Sequence, residues 1–260
     1  MIIGGKPVRQ NAYPWMAYLL IKRQSNGGEI EEFVCGGTIV NTEWVLTAAH
    51  CFDPSDDILE VRVTLGEHET NKREGKEVFA EAAEVGCNLV NNNYTMVIHK
   101  GFTTKTYDDD VTMVKLNITL DFERRHRHLM PICLPPPYGL DPDGERECFV
   151  SGWGNHVAGK EEDGSFSQIL REVPVQIHPK SKCSRSWNGD YDTAKHLCAG
   201  DNQHDFCSGD SGGPLVCKQG NKYFQYGLVS YGVQEMCGST HPGVYTRIAY
   251  YLPWINNIIQ

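Results

Sequence analysis

No stretch of this chain stays apolar for the ~18 residues that crossing a bilayer requires, so no segment reads as a membrane-spanning helix. Positive charge is also short. The 24 Lys and Arg stand against 33 Asp and Glu, for a net charge of −9. That balance argues against a nucleic-acid partner, which calls for a basic face. Internal repeats are missing, and so are the CxxC pairs and Cys/His knuckle spacings that hold zinc. The ten cysteines are therefore expected in disulfides, which points to a secreted, extracellular protein in an oxidising compartment. The start carries no charged-then-apolar leader, since only Ile2 and Ile3 stand between Met1 and Gly4. A leader is expected to have been left out of this sequence. Two acceptor sequons, at Asn93 and Asn117, agree with secretion.

What is present is strand-like. Glu60 to Leu65 and Val173 to Ile177 alternate apolar and polar residues. Phe33 to Val40, Thr95 to Ile98, Val111 to Leu116 and Tyr223 to Tyr231 are further β-rich runs, separated by Gly, Pro, Asn and Asp. Only Tyr250 to Ile259 reads as a helix. Many short strands with turn signals predict an all-β fold of sandwiches or barrels. A Pro-rich stretch, Pro131 to Glu145, reads as an extended linker between two β-rich halves. Lys22 to Glu32 and Asn155 to Ser167 read as exposed loops, and Arg124 to His128 as a basic cluster in a solvated loop.

Three stretches carry chemistry: LTAAHC around His50, DDDVTMVKL around Asp110 and CSGDSGGPLVC around Ser211. A serine hydroxyl is a poor nucleophile until a base removes its proton. Histidine suits that task near neutral pH, and a carboxylate fixes its tautomer and stabilises the imidazolium. Singly, each residue has an ordinary structural reading. Together the three are sufficient for acyl transfer if the fold brings them together.

TAAHC, the aspartate before VTMVKL, VSGWG, GDSGGPLVC, SYG and PGVYTR occur in one order along the chain. With these motifs it resembles the trypsin-like serine proteases of the chymotrypsin family from Ile2 to Gln260. The resemblance implies two six-stranded antiparallel β-barrels, about 2–130 and 131–249, with the active site between them and a C-terminal helix at about 250–259. It implies His50 as general base, Asp110 as its orienting carboxylate and Ser211 as nucleophile, with the amides of Gly209 and Ser211 as oxyanion hole. Asp108 and Asp109 are rival carboxylates, and strand alternation is expected to let only one of the run face His50.

The resemblance also implies a substrate pocket from Asp205, Phe206, Ser208, Ser230, Tyr231, Gly232 and Gly243. Asp205 is its floor, which predicts cleavage after Arg or Lys. Two departures stand out. Phe206 replaces a small residue and narrows or caps the pocket, and the stretch Val233 to Met236 is long and lacks an expected glycine. Implied disulfides pair Cys35 with Cys51, Cys148 with Cys217, Cys183 with Cys198 and Cys207 with Cys237. Cys87 and Cys133 remain, to pair together, stay free or bond elsewhere, and Cys133 resembles a cysteine that tethers an upstream chain. The loop LGEHETNKREGKE resembles a calcium loop, with carboxylates of Glu67 and Glu77, carbonyls of Glu69 and Lys72, and help from Glu74. Its plainer reading is a charged surface loop, and no cofactor is otherwise required.

In this family the freed amine of Ile2 pairs with Asp210, so an attached Met1 implies a zymogen-like state. The expected protein is thus a secreted zymogen of a serine endopeptidase, with a place in a regulatory cascade. Its partners would be a protein or peptide substrate, an activating protease and macromolecular inhibitors. A digestive trypsin and an inactive protease-like binding protein are the alternatives.

Overall fold

The structure, a computed structural model, describes residues 2–24, 27–52, 57–82, 96–136, 142, 147–155, 166–188, 191–233, 237 and 239–260. A short arm, β1 (Lys6–Pro7), precedes the strands of the first half. These are β2 (Met16–Gln24), β3 (Ile30–Ile39), β4 (Trp44–Thr47), β5 (Asp57–Leu65), β6 (Val78–Glu81), β7 (Met96–Ile98) and β8 (Thr112–Lys115). The second half holds β9 (Cys148–Gly152), β10 (Arg171–Val175), β11 (His196–Ala199), β12 (Pro214–Gln219), β13 (Lys222–Tyr231) and β14 (Gly243–Arg247). Helix α1 (Lys180–Trp187) lies between β10 and β11, and α2 (Ile248–Ile259) ends the chain.

All named strand pairs are antiparallel. The first sheet runs β6-β5-β2-β3-β4-β8-β7 and the second β1-β10-β9-β12-β13-β14-β11, seven strands in each. The expected six become seven for two different reasons. In the second half six strands make the barrel, closed by the bridge Ile177–Ala199, and the two-residue β1 adds to its outside. In the first half the bridge Ala82–Leu116 brings the end of β6 to the end of β8, so β6 and β7 share one barrel position as two pieces. Closure removes the exposed sheet edges that invite association.

Alternation sets the core. Along β2, Ala17, Leu19 and Ile21 are fully buried while Tyr18, Leu20 and Lys22 are partly exposed. Val45, Val63, Leu65 and Val114 meet them inside the first barrel. Each such burial contributes roughly 1.5–3 kcal/mol. Helix α2 buries Ile248, Tyr251, Leu252 and Ile255, one helical face, in that same cluster. The end of the chain thereby clamps the first half from the second. Trp15, Met16, Ile132, Trp153, Leu170 and Val216 form a separate apolar cluster drawn from both halves.

Three expectations need correction. Lys22 to Glu32 is largely a continuation of the β2–β3 hairpin. Its sides carry the cross-strand pairs Lys22–Glu32 at 3.8 Å and Arg23–Glu31 at 3.0 Å. Charges that satisfy one another across a ribbon hide the apolar alternation by which strands are read. Helix α1 was not expected either, because Cys183 is its one buried residue and no apolar stripe marks it. The C-terminal helix begins at Ile248, two residues earlier than predicted. Residues 25–26, 137–141, 143–145, 156–165 and 234–236 of the predicted linker and loops lie outside the described residues, as do Met1, Cys87 and Asn93.

Candidate active site

His50 sits in a single 3₁₀ turn, Ala49–Cys51, immediately after β4. The Cys35–Cys51 disulfide ties that turn to β3. Asp110 stands just before β8, which pairs with β4, so two adjacent strand ends deliver the two side chains. His50 Nδ1 lies 2.8 Å from Asp110 Oδ2, and the His50 backbone N–H donates to Oδ1 at 2.8 Å. Ser230, from the second half, donates its hydroxyl to Oδ2 at 2.5 Å. Asp110 is wholly buried. Burial alone would raise its pKa, but the charge of His50 and the bonds from His50 and Ser230 outweigh it and hold the carboxyl below its ordinary value. An acceptor-only carboxylate at Nδ1 keeps the proton there and leaves the lone pair on Nε2.

Why Asp110 and not a neighbour? The chain reaches it through a turn in which Tyr107 and Asp109 take left-handed conformations, φ 55° and 56°. That turn, and not strand alternation, separates the three carboxylates. Asp109 points away to Lys195 Nζ and the Tyr251 hydroxyl, each at 2.9 Å. Asp108 lines the cleft, its Oδ2 accepting from the Thr106 hydroxyl at 3.0 Å.

Ser211 is half-buried, and its carbonyl accepts from Gly36 N–H at 2.7 Å. The glycines around it have spatial reasons. A Cβ on Gly212 would sit 2.2 Å from Thr47 Oγ1, so glycine there lets the serine turn close onto the strand that leads to His50. Gly209 has φ +89°, a conformation side chains resist, and its would-be Cβ meets the Phe166 ring at 2.6 Å. Asp210 turns inward and is wholly buried. Its carboxylate accepts from Gly154 N–H at 2.8 Å and Cys207 N–H at 3.0 Å. Side chains at Gly152 or Gly154 would collide with it. Burial nonetheless raises its pKa.

Between the halves lies a cleft of about 1040 Å³ lined by His50, Ser211, Asp205, Phe206, Ser208, Ser230, Tyr231 and Gly232. Ser230 thus borders the cleft and also holds Asp110, a second role that its place in the SYG motif does not reveal. Gly243 lies behind the lining, against Asp205 and Phe206. Asp205 is buried, bonded at Oδ1 by the Phe206 N–H at 2.9 Å, and burial pushes its pKa well above the ordinary value. Ile2 is fully buried in the core of the second half, and Ile3 N–H donates to the Asp205 carbonyl at 2.8 Å. Tyr107, Trp187 and Tyr191 also line the cleft. They come from loops and from α1, and no local signal in the sequence marks them.

This geometry agrees with comparison to known proteins. The trypsin family profile matches residues 2–255. The chain belongs to the trypsin family of serine endopeptidases. Tissue-type plasminogen activators of Sus scrofa, over 267 residues, and Bos taurus, over 268, are each 35% identical to it. Those alignments cover 98% of this chain and 44% of each relative, so the chain spans less than half the length of these relatives. A solved structure of GrC is 30% identical, with a TM-score of 0.80 and 99% of both chains covered.

The structure joins the four cysteine pairs named above: Cys35–Cys51, Cys148–Cys217, Cys183–Cys198 and Cys207–Cys237. Cys133, half-buried, is in no disulfide among the described residues. Asn117 is exposed, and its side-chain oxygen accepts from Glu81 N–H at 3.0 Å. In the charged loop the carboxylates of Glu67, Glu74 and Glu77 converge within 4.8 Å of one another. Glu74 is a full member of this group, whereas the Glu69 carboxylate is taken by the Lys72 ammonium. Burial, with repulsion from Glu77 and Glu74, raises the pKa of Glu67. Three crowded carboxylates with one reluctant to ionise fit a hard cation. Among the described residues no helix is long and apolar enough to cross a membrane.

Proposed function

We propose that this trypsin-family chain cleaves peptide bonds after Arg or Lys through an acyl-enzyme. The observation that carries this reading is a single cleft with His50, oriented by Asp110, and Ser211 on its wall and the buried Asp205 at its inner end. His50 Nε2 takes the proton of Ser211 Oγ as that oxygen attacks the carbonyl carbon. The amides of Gly209 and Ser211 receive the charge that develops on the carbonyl oxygen. His50 then gives its proton to the leaving amine, and water repeats the sequence on the acyl group. Asp205 meets the cationic side chain, because a buried carboxylate is costly without a partner.

The same logic extends to Asp210. The burial of Ile2 in the second half, with the Ile3 N–H bonded to the Asp205 carbonyl, supports a zymogen in which the freed Ile2 amine pairs with Asp210, an interaction on the order of several kcal/mol. Secretion, glycosylation at Asn93 and Asn117, a cascade role with an activating protease and macromolecular inhibitors, and an upstream chain tethered through Cys133 complete the reading. So does structural calcium held by Glu67, Glu74 and Glu77, with carbonyls of Glu69 and Lys72. Profiling on a peptide library tests the specificity. Cleavage confined to bonds after Arg and Lys is expected, and preference for aromatic residues would overturn it. The inactive binding protein draws its support from Phe206 and from Met1 ahead of Ile2. It predicts neither hydrolysis of a tetrapeptide amide ending in Arg nor labelling of Ser211 by an organophosphonate in folded chain whose Ile2 amine has been exposed.

A further inference from the structure

Building on the reading of Asp205 as the floor of the primary pocket, we propose that Phe206 is a specificity-determining residue. Its ring stands across that pocket, and a substrate's Arg or Lys reaches Asp205 only by displacing it.

The two glycine walls show where the ring lies. A Cβ on Gly243 would sit 2.3 Å from Phe206 Cε1 and 2.6 Å from Asp205 Oδ1. A Cβ on Gly232 would sit 3.7 Å from Cε2 and Cζ, the opposite edge of the same ring. The ring therefore spans the width that the two glycines leave open, directly beside the carboxylate. Its far side is held by an edge-on contact with Tyr245 at 5.2 Å. Phe206 is 9% and Asp205 5% exposed although both line the cleft, so ring and carboxylate share one confined part of it. Displacing the ring sacrifices buried apolar contact and offsets part of what a bound cation gains at Asp205. Contacts elsewhere on the substrate make up the difference, since remote binding energy can be spent at the reacting end. The cleft supplies a place for them. Tyr231 lies between Tyr107 at 5.7 Å and Trp187 at 5.2 Å, and all three rings border the cleft. Phe206 thus makes cleavage depend on peptide length, admitting extended substrates and refusing isolated arginine derivatives.

The test compares an N-acyl arginine amide with a tetrapeptide amide ending in Arg, using wild type and Phe206→Ser, each with its Ile2 amine exposed, and titrates both proteins with p-aminobenzamidine. Opening the pocket should raise kcat/KM on the single-residue substrate at least tenfold, chiefly through KM, and improve the Kd of p-aminobenzamidine at least tenfold. The tetrapeptide should gain much less. An equal gain on both substrates, or none on the short one, would overturn the proposal. Covalent labelling of Ser211 by a fluorophosphonate is indifferent to the pocket and separates the two readings. Label absent from folded wild type sinks the protease reading, whereas label present with an unaltered variant sinks the role of Phe206 alone. Should Phe206→Ser fail to fold, a crystal structure of wild type with benzamidine decides. The ring is expected to move, and benzamidine against Asp205 with the ring in place would contradict the proposal.

Discussion

Asp110 and Asp205 are both buried aspartates, one behind His50 and one lining the cleft, yet their pKa values move in opposite directions. Around Asp110 the protein has gathered the His50 ring, the His50 backbone N–H and the Ser230 hydroxyl, and its pKa falls. Around Asp205, among the described residues, only the backbone N–H groups of Phe206 and Gly243 bond the carboxylate, with no cation, an aromatic ring stands beside it, and burial raises its pKa. Burial is common to both; it prevails at Asp205 and is outweighed at Asp110. What differs is that at Asp110 the charge of His50, with bonds from His50 and Ser230, outweighs burial, whereas at Asp205 two backbone N–H groups do not. The catalytic corner is complete before substrate arrives. The pocket waits for a charge brought from outside.

The largest effect should come from breaking the complete corner. Asp110→Asn leaves His50 without a carboxylate and should lower kcat/KM by about 10⁴-fold, a figure that belongs to known members of this family. Stopped-assay kinetics on a peptide amide would measure it. Full activity would instead transfer the role to Asp108 or Asp109. Next in size, Asp205→Asn removes the partner that an incoming cation needs. A loss of about 3 kcal/mol, roughly a hundredfold in kcat/KM on arginyl substrates, is expected. A library profile unchanged in that variant would contradict the pocket assignment.

Stability against pH sharpens the contrast further. Asp110 titrates below its ordinary range of about 4 when folded, so its contribution is present above that range and is lost as pH falls through the folded pKa. Asp205 has the opposite sign. Its contribution is present below about pH 4 and is lost as pH climbs toward its raised folded pKa, so at neutral pH its charge destabilises the fold. Melting curves at pH 7 should therefore move down for Asp110→Asn and up for Asp205→Asn, by about 2–4 °C per kcal/mol. Shifts of the same sign would break the comparison. The smallest effect concerns the charged loop. Calcium at ten times its Kd adds about 1.4 kcal/mol, hence a rise of roughly 3–5 °C in Tm. Glu77→Gln or Glu74→Gln should abolish that rise. A rise equal to wild type in both variants would move the ion elsewhere.

The corner was the most legible part of the sequence, because its chemistry travels with short motifs. TAAHC places a histidine beside a disulfide, and GDSGGP needs its glycines where Gly212 meets Thr47 and where Gly209 turns. The choice of Asp110 was readable, but for a different reason than strand alternation: the left-handed turn at Tyr107 and Asp109 aims the three carboxylates apart. The second role of Ser230 was not readable, since its bond to Asp110 joins residues 120 apart. Nor were the cleft rings of Tyr107, Trp187 and Tyr191, set by loops and by a helix with no apolar stripe. Phe206 was visible as a departure. Its place across the pocket needed the positions of Gly232 and Gly243, which only the closed barrel brings to opposite edges of one ring.

One measurement bears most directly on the completed corner: titration of the chain, with the Ile2 amine exposed, by a peptidyl arginine phosphonate, followed by peptide mapping. One phosphonyl group per chain on Ser211 is predicted, with hydrolysis falling in proportion and no adduct in His50→Ala. A folded chain that hydrolyses arginyl substrates with Ser211 unlabelled, or that takes up label equally without His50, would contradict the account.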